Sequence, residues 1–517
     1  MQHPGTRAYP LWGMLAALAG FVALQTVAFL RAGVFEYPLD DVYIHLAMAS
    51  NIARGTYGVN AGEAASASSS ILSPFLLMPF ANTEVQRLLP LFWNTLAVAG
   101  CGWVWGRIAQ EAGLRGILAG GMVLAAPLAL NLPGVGFTGM EAALHMAASL
   151  LVVLGLWRAL NGHGAAGWFI AAAIAAPLLR YEGLALALGS AGALALTGER
   201  RAAAVIATGA LGVVAGFGLF LVTLGLEPLP GSILAKTAQL DPAGDPLQRH
   251  LVGFLANLTK PAAMIIAALV VSALFAVLAF PALRRGAAVW LLAVVGLSAL
   301  GHLVFGQIGW MNRYEPYILA SLITALLLVA TRLDGGAAAG LRGLAVLATG
   351  AAGVAYLPVL WGAYVWNPRA IHLQQAQIAR FAQDYLKAPV AVNDLGRVAW
   401  RNPNYVLDIW GLGSEEARRI RYAEARPTPA WAGPLAQRHG VKAAMIYDKW
   451  FKTAVGPDWV RVAALVTARP KGVISDWTVA IYATDPGYAA EMRAKLQEFA
   501  PTLPEDTVLV LEPEVQS

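Results

Sequence analysis

Long apolar blocks, separated by short polar joints, fill the chain from about residue 11 to residue 363. Many reach the roughly 20 residues that cross a bilayer as a helix. Their spacing predicts eleven spans, at about 11–31, 88–107, 115–131, 140–158, 165–180, 183–197, 202–225, 261–280, 287–306, 314–331 and 343–363. The stretch 165–197 also reads as one broken element. The first block follows Arg7 and has no clear small-residue cleavage site after it, so it reads as a retained helix and not as a signal peptide. The run Ile71–Phe80 is short and carries Pro74 and Pro79, which suits a helix lying at the surface or dipping partway in.

Beyond residue 363 the pattern changes. Charge becomes denser, and strand-like runs appear between turn residues: PVAVND (389–394), KAAMIYD (442–448), WTVAIYATD (477–485) and DTVLVLEP (506–513). Helical patterns lie between them, at Ile371–Leu386 and Pro486–Phe499. The expected fold is a polytopic α-helical membrane domain over 1–363, with a first outer loop at 32–87, followed by a soluble α/β domain over 364–517. The second part is long enough to bury its own core.

Composition agrees with the pattern. Of the 517 residues, 58% are hydrophobic and 13% charged, with a mean hydropathy of +0.59. A soluble chain carries about 25% charged residues. The net charge of +6 is spread out and forms no basic tract, so nucleic acid is not an expected partner. A single cysteine, Cys101, excludes a disulfide within the chain and makes redox chemistry unexpected. There is no P-loop, no paired-cysteine metal motif and no long repeat.

Basic residues in short joints set the expected orientation. Arg107, Arg115, Arg158, Glu199–Arg201, Arg284–Arg285 and Arg332/Arg342 fall on one side, which is assigned to the cytoplasm together with the N-terminus. The bias is modest, because Arg54, Arg87, Arg180, Lys236, Arg249 and Arg313 fall on the other side. With an odd number of spans, the C-terminal domain lies outside.

The unusual polar residues gather on that outer face. Asp40, Asp41, Tyr43, His45 and Glu63 lie in the first loop, Glu141 opens a span, and Arg180 and Glu182 flank a turn. Lys236 sits in the long loop 226–260, and Arg313 and Glu315 precede another span. Ionisable groups at bilayer depth are costly and commonly mark a site. Each also has a plainer reading. An arginine at a helix end anchors it to the interface, Glu141 suits a helix start, and Arg180 with Glu182 suits a structural ion pair. Asp40 suits the N-cap of an amphipathic helix at about 41–53, but a cap uses only one acid of the pair. A carboxylate can deprotonate a hydroxyl, and Lys or Arg can hold a departing phosphate. A hydroxyl acceptor and a lipid-linked phosphosugar donor meet both demands. Paired acids can also hold a divalent ion, although a lipid monophosphate leaving group need not require one, so no metal ligand is assigned.

The residues also resemble a known family. The first loop reads LDDVYIHLAMASNIARGTYGVNAGEAASASSSILSPFL, and TGMEAALH, RYEG, SILAKT, NRYEPY and VNDLG…VLDIWGLG follow in order. Together they resemble the GT-C superfamily of membrane glycosyltransferases, in the branch of the mycobacterial terminal β-(1→2)-arabinofuranosyltransferases. The resemblance rests on Asp40, Asp41, Tyr43, Asn51, Gly55, Gly58, Asn60, Gly62, Glu63, Ser73 and Pro74, with Asp394, Gly396, Asp408 and Gly411 in the tail. It implies an inverting transfer of a sugar, arabinofuranose or another pentose or hexose, from a polyprenyl-phosphate donor to an envelope glycan or lipid. It also implies a first-loop acid as general base, Asp40 ahead of Asp41. Lys236, Arg180 and Arg313 become the expected phosphate ligands, and Tyr43, His45, Glu63, Glu141, Glu182 and Glu315 the expected substrate contacts. Two departures bear on the sugar and the acceptor: Tyr181 stands where proline is usual, and ASASSSILSP lacks the usual aromatic and threonine. Two rival readings are a flippase for a lipid-linked sugar and a glycan-binding assembly or sensor protein. Asp394 and Asp408 also suit strand-end turns.

Overall fold

The computed structural model describes residues 6–238, 246–423, 427–468 and 470–513; the side chains of 236–238, 246, 247, 249 and 423 are outside the described set. Seven helices among the described residues are long and apolar enough to cross a membrane: Tyr9–Ala32, Glu84–Glu111, Ala142–His163, Arg200–Thr223, Pro261–Ala279, Gly286–Phe305, and the long kinked stretch Gly335–Leu386. Three shorter apolar helices join them, Gly167–Leu179, Gly183–Leu196 and Pro316–Arg332. The chain is a helical multi-pass membrane protein with a small C-terminal domain built on a mixed sheet.

Several expected elements differ in extent. The expected span at 115–131 is divided into Gly116–Leu124 and Ala126–Ala129. Pro127 cannot donate to the carbonyl four residues earlier, so the helix stops before it. The stretch 165–197 breaks at Arg180, whose backbone is extended, as φ −152° and ψ 136° show. The loop at 226–260 contains two helices, Gly231–Ala238 and Pro246–Leu258. Ile71–Phe80 holds only the single turn Ser73–Leu76, opened by Pro74.

Glycines let the first two spanning helices touch. A Cβ on Gly13 would lie 2.4 Å from the Gly102 carbonyl oxygen, and one on Gly106 would lie 2.3 Å from that of Tyr9. Such contact replaces the hydrophobic drive that lipid cannot supply between helices.

The C-terminal sheet has six strands: β1 (Val390–Val392), β2 (Val406–Asp408), β3 (Ala443–Ile446), β4 (Val460–Thr467), β5 (Thr478–Ala483) and β6 (Thr507–Leu511), in the order β2-β1-β3-β5-β4-β6. β1 runs parallel to β2 and β3, and the other pairs are antiparallel. The four strand-like runs of the sequence become β1, β3, β5 and β6. β2 (three residues) and β4 (eight residues) were not among the expected runs. β1 and β3 are buried throughout, so they read as continuous apolar runs. Alternate residues serve two cores. Ala391, Ala444, Ile446 and Ala480 pack with Trp431, Leu435 and Phe451. Val390, Val392, Met445 and Ile481 join the apolar cluster that continues into the membrane helices. The two parts of the chain therefore share one core.

Candidate functional site

The helix Asp41–Ile52, here the partition helix, joins these two parts. It was expected to be amphipathic, yet Val42–Asn51 are all buried. It lies between the membrane helices and the C-terminal domain, which shield most of it from water. Residues 40, 47, 51 and 54 share one stripe, and Asp41 and His45 lie on a neighbouring one.

Asp40 stands at the N-cap position but makes no side-chain bond to its own helix. The expected capping of 41–53 is corrected: Asp40 instead binds the start of the turn Gly396–Ala399. Gly396 N donates to Asp40 Oδ2 at 2.7 Å and Arg397 N to Oδ1 at 2.8 Å. The approach explains the glycine, since a Cβ at 396 would lie 2.0 Å from the Asp40 carbonyl oxygen. Burial, and then the negative charge of Asp394, push the Asp40 carboxyl up to about 8. Asp394 is itself raised by burial, and its Oδ2 accepts bonds from Gln375 Nε2 and Tyr447 Oη, each near 3.0 Å.

A raised carboxyl binds its proton more tightly in the folded chain than in the unfolded one. Its contribution to stability is therefore greatest at low pH, falls as pH rises out of the ordinary carboxylate range, and levels off above about 8. Thermal unfolding across that range is expected to show wild-type stability declining relative to Asp40→Asn. A constant difference between the two proteins would contradict the assignment.

Asp41 faces the membrane helices. Arg313 Nη2 donates to Asp41 Oδ2 at 2.6 Å and to Tyr314 Oη at 3.0 Å. The Asp41 side chain keeps 34% exposure while that of Arg313 keeps 2%. Arg313 Nε and Nη1 are buried without a hydrogen-bond partner among the described residues. The Tyr314 ring also gathers a second cation: the Arg180 guanidinium carbon lies 4.8 Å from its centroid and that of Arg313 5.0 Å. A short, strained turn delivers this pair of residues. Gly309, Trp310, Met311 and Asn312 all have positive φ, which costs a non-glycine residue about 1–2 kcal/mol. Glu315 Oε2 accepts from Gly309 N at 2.9 Å, Asn131 Nδ2 donates to Asn312 O at 3.0 Å, and Tyr364 Oη bonds Met311 O. Strain so firmly held is typical of functional segments.

The remaining expected site residues divide. Arg180 is paired with Glu141 at 2.8 Å and with Glu182 at 2.9 Å, so two carboxylates already answer its charge. His45 is buried, with Nδ1 3.0 Å from Ser73 Oγ and Nε2 3.3 Å from Ser68 Oγ. Tyr43 is fully buried, bonded to Glu36 and Arg87, and packed on Trp400, so it belongs to the shared core. Glu63 accepts from Asn60 Nδ2 at 3.0 Å. Asn60 in turn exchanges two bonds with the backbone of Val406, pairing with the open edge of β2 as a strand would. Asp408 closes its own turn, accepting from Trp410, Leu412 and Gly413. Lys236 lies in the helix Gly231–Ala238, and its side chain is outside the described residues. No group of three or more His, Cys, Asp or Glu able to hold a metal occurs among the described residues.

Sequence reasoning left Tyr314, Gln375 and Tyr447 unassigned. Tyr314 stood inside the quoted NRYEPY motif, and only its place between two guanidinium groups gives it a role. A family model described as a domain of unknown function, DUF8728, matches residues 367–482. That match covers the segment from the end of the membrane helices into β5. No curated protein and no solved structure matches the chain.

Proposed function

We propose that this protein is an inverting membrane glycosyltransferase that takes its sugar from a polyprenyl-phosphate donor. The observation that carries the reading is Arg313, buried and bonded to Asp41 through one nitrogen while its other two nitrogens, Nε and Nη1, have no hydrogen-bond partner among the described residues. A dianionic or monoanionic phosphate accepts such a fork, and arginine is suited to it. The ordered motifs that resemble the GT-C family support the same class.

In the reaction, an acceptor hydroxyl attacks the anomeric carbon. The bond from that carbon to the phosphate oxygen breaks, polyprenyl phosphate leaves, and the hydroxyl proton passes to a carboxylate. We assign that carboxylate to Asp41. Both Asp40 oxygens are engaged by backbone N–H groups of the C-terminal domain, whereas Asp41 is partly open and adjoins the phosphate ligand. Arg313 neutralises the charge gathering on the leaving phosphate. Asp40 keeps the C-terminal domain seated, which places the acceptor side of the site.

In this reading the three short apolar helices and the broken segment Gly116–Ala129 serve as short spans, which gives eleven crossings. The site and the C-terminal domain then face the periplasm of a bacterial inner membrane. The acceptor is an envelope glycan or lipid.

The test uses full-length protein in vesicles, polyprenyl-phosphate pentose and hexose donors, and envelope oligosaccharide acceptors. Acceptor-dependent release of polyprenyl phosphate is expected. Movement of the lipid across the bilayer with no release of sugar would replace this reading with transport.

A further inference from the structure

A cavity lies on a different face of the partition helix from Asp41. It holds about 260 Å³ between the end of that helix, the Val59–Ala61 segment and the turn Ala399–Tyr405. Its helix wall is the stripe of Ala47, Asn51 and Arg54, the same stripe that starts at Asp40. The nearest helix residue of its wall, Ala47, lies about 9 Å along the helix from Asp41 and on a different face, so the cavity is separate from the reacting groups.

The lining is unusual in kind. Five asparagines contribute, Asn51, Asn60, Asn82, Asn402 and Asn404, together with Arg54 and Arg401, and no carboxylate lines it. Asn60 is committed to Val406 and Glu63, Asn51 Nδ2 donates to Gly58 O, and Arg401 pairs with Glu84, which leaves the amides of Asn82 and Asn404, with Arg54, to meet neighbouring hydroxyls of a sugar. Asn402 Nδ2 is buried and makes no hydrogen bond among the described residues, although Asn402 Oδ1 accepts from Asn404 N at 2.9 Å. Arg401 and Asn82, on the cavity wall, are held at φ 63° and 64°. For arginine that backbone is rare, and strain of this sort collects at ligand clamps.

We propose that this cavity is a second, non-reacting binding site for a neutral oligosaccharide. It holds the glycan on the C-terminal side of the partition helix, away from Asp41. It extends the transferase reading, yet the chemistry of the cavity stands without it.

The experiment measures binding of full-length detergent-solubilised protein to a printed array of bacterial surface oligosaccharides, with inorganic phosphate as the anionic control. Two variants accompany the wild type, Arg54→Ala and Ala61→Trp, both at exposed positions that leave the core intact. At least one neutral oligosaccharide is expected to bind, and Ala61→Trp and Arg54→Ala are expected to weaken it by about tenfold or more. Asp41→Asn is expected to bind as the wild type does, so loss of transfer and loss of this site are separable. The proposal is overturned if no neutral oligosaccharide binds, if the two exposed variants bind normally, or if phosphate competes fully for the site.

Discussion

Asp41→Asn is expected to lower sugar transfer by roughly 10²–10⁴-fold, the usual contribution of a positioned general base. The asparagine keeps the size of the side chain and can still accept from Arg313 Nη2, so the fold should persist. What it loses is the capacity to take the acceptor's proton. Donor binding should change little, because Arg313 remains, and the effect should fall on kcat. Thermal unfolding checks that the protein is intact, and transfer from the polyprenyl-phosphate donor measures the loss. Asp40→Asn gives the contrast. It disturbs the bonds from Gly396 and Arg397, so a moderate effect on both stability and transfer is expected. If Asp40→Asn abolishes transfer in a folded protein while Asp41→Asn does not, the base is Asp40.

Arg180→Met is expected to destabilise the protein by about 3–5 kcal/mol, the range seen when one member of a buried ion pair is removed. Arg180 answers two carboxylates, Glu141 and Glu182, and the Glu141 side chain is fully buried. Without the guanidinium, the Glu141 charge has no nearby counter-charge of equal strength, and the Tyr314 ring loses one of its two cations. The double variant Arg180→Met with Glu141→Gln is expected to recover part of the loss, because it removes an isolated charge along with its partner. Unfolding midpoints of the two single variants and the double variant in detergent measure the coupling. Additive effects would show that the pair does not interact as described. A stable Arg180→Met protein that fails only in donor binding would return Arg180 to the role of phosphate ligand.

The membrane part was legible because lipid imposes a simple rule. A span must satisfy its own backbone bonds and present apolar side chains, so length and composition reveal it. Extents were harder to read where proline intervenes, as at Pro127, and where a loop such as 226–260 forms helices of its own. In the C-terminal domain, β1, β3, β5 and β6 were read from the sequence, and β2 and β4 were not.

The polar site was legible as a set but not in its roles. Arg180, Glu141 and Glu182 stand far apart in sequence or flank a turn, and only folding brings both acids onto one guanidinium. Tyr43 looked like a contact for substrate because it follows the acid pair, yet the C-terminal domain covers it with Trp400. Glu63 looked similar, yet it steadies the asparagine that seals the edge of β2.

The sequence by itself determined the helical membrane character and the change to a mixed α/β tail. These follow from solvation, which acts residue by residue and so is written locally. The tertiary structure alone decided what each of the two adjacent aspartates does. Neighbours on a helix point about 100° apart, so Asp40 turns to the backbone of a domain more than 350 residues away while Asp41 turns to Arg313. That division depends on which partners folding brings to each face, and no local pattern encodes it.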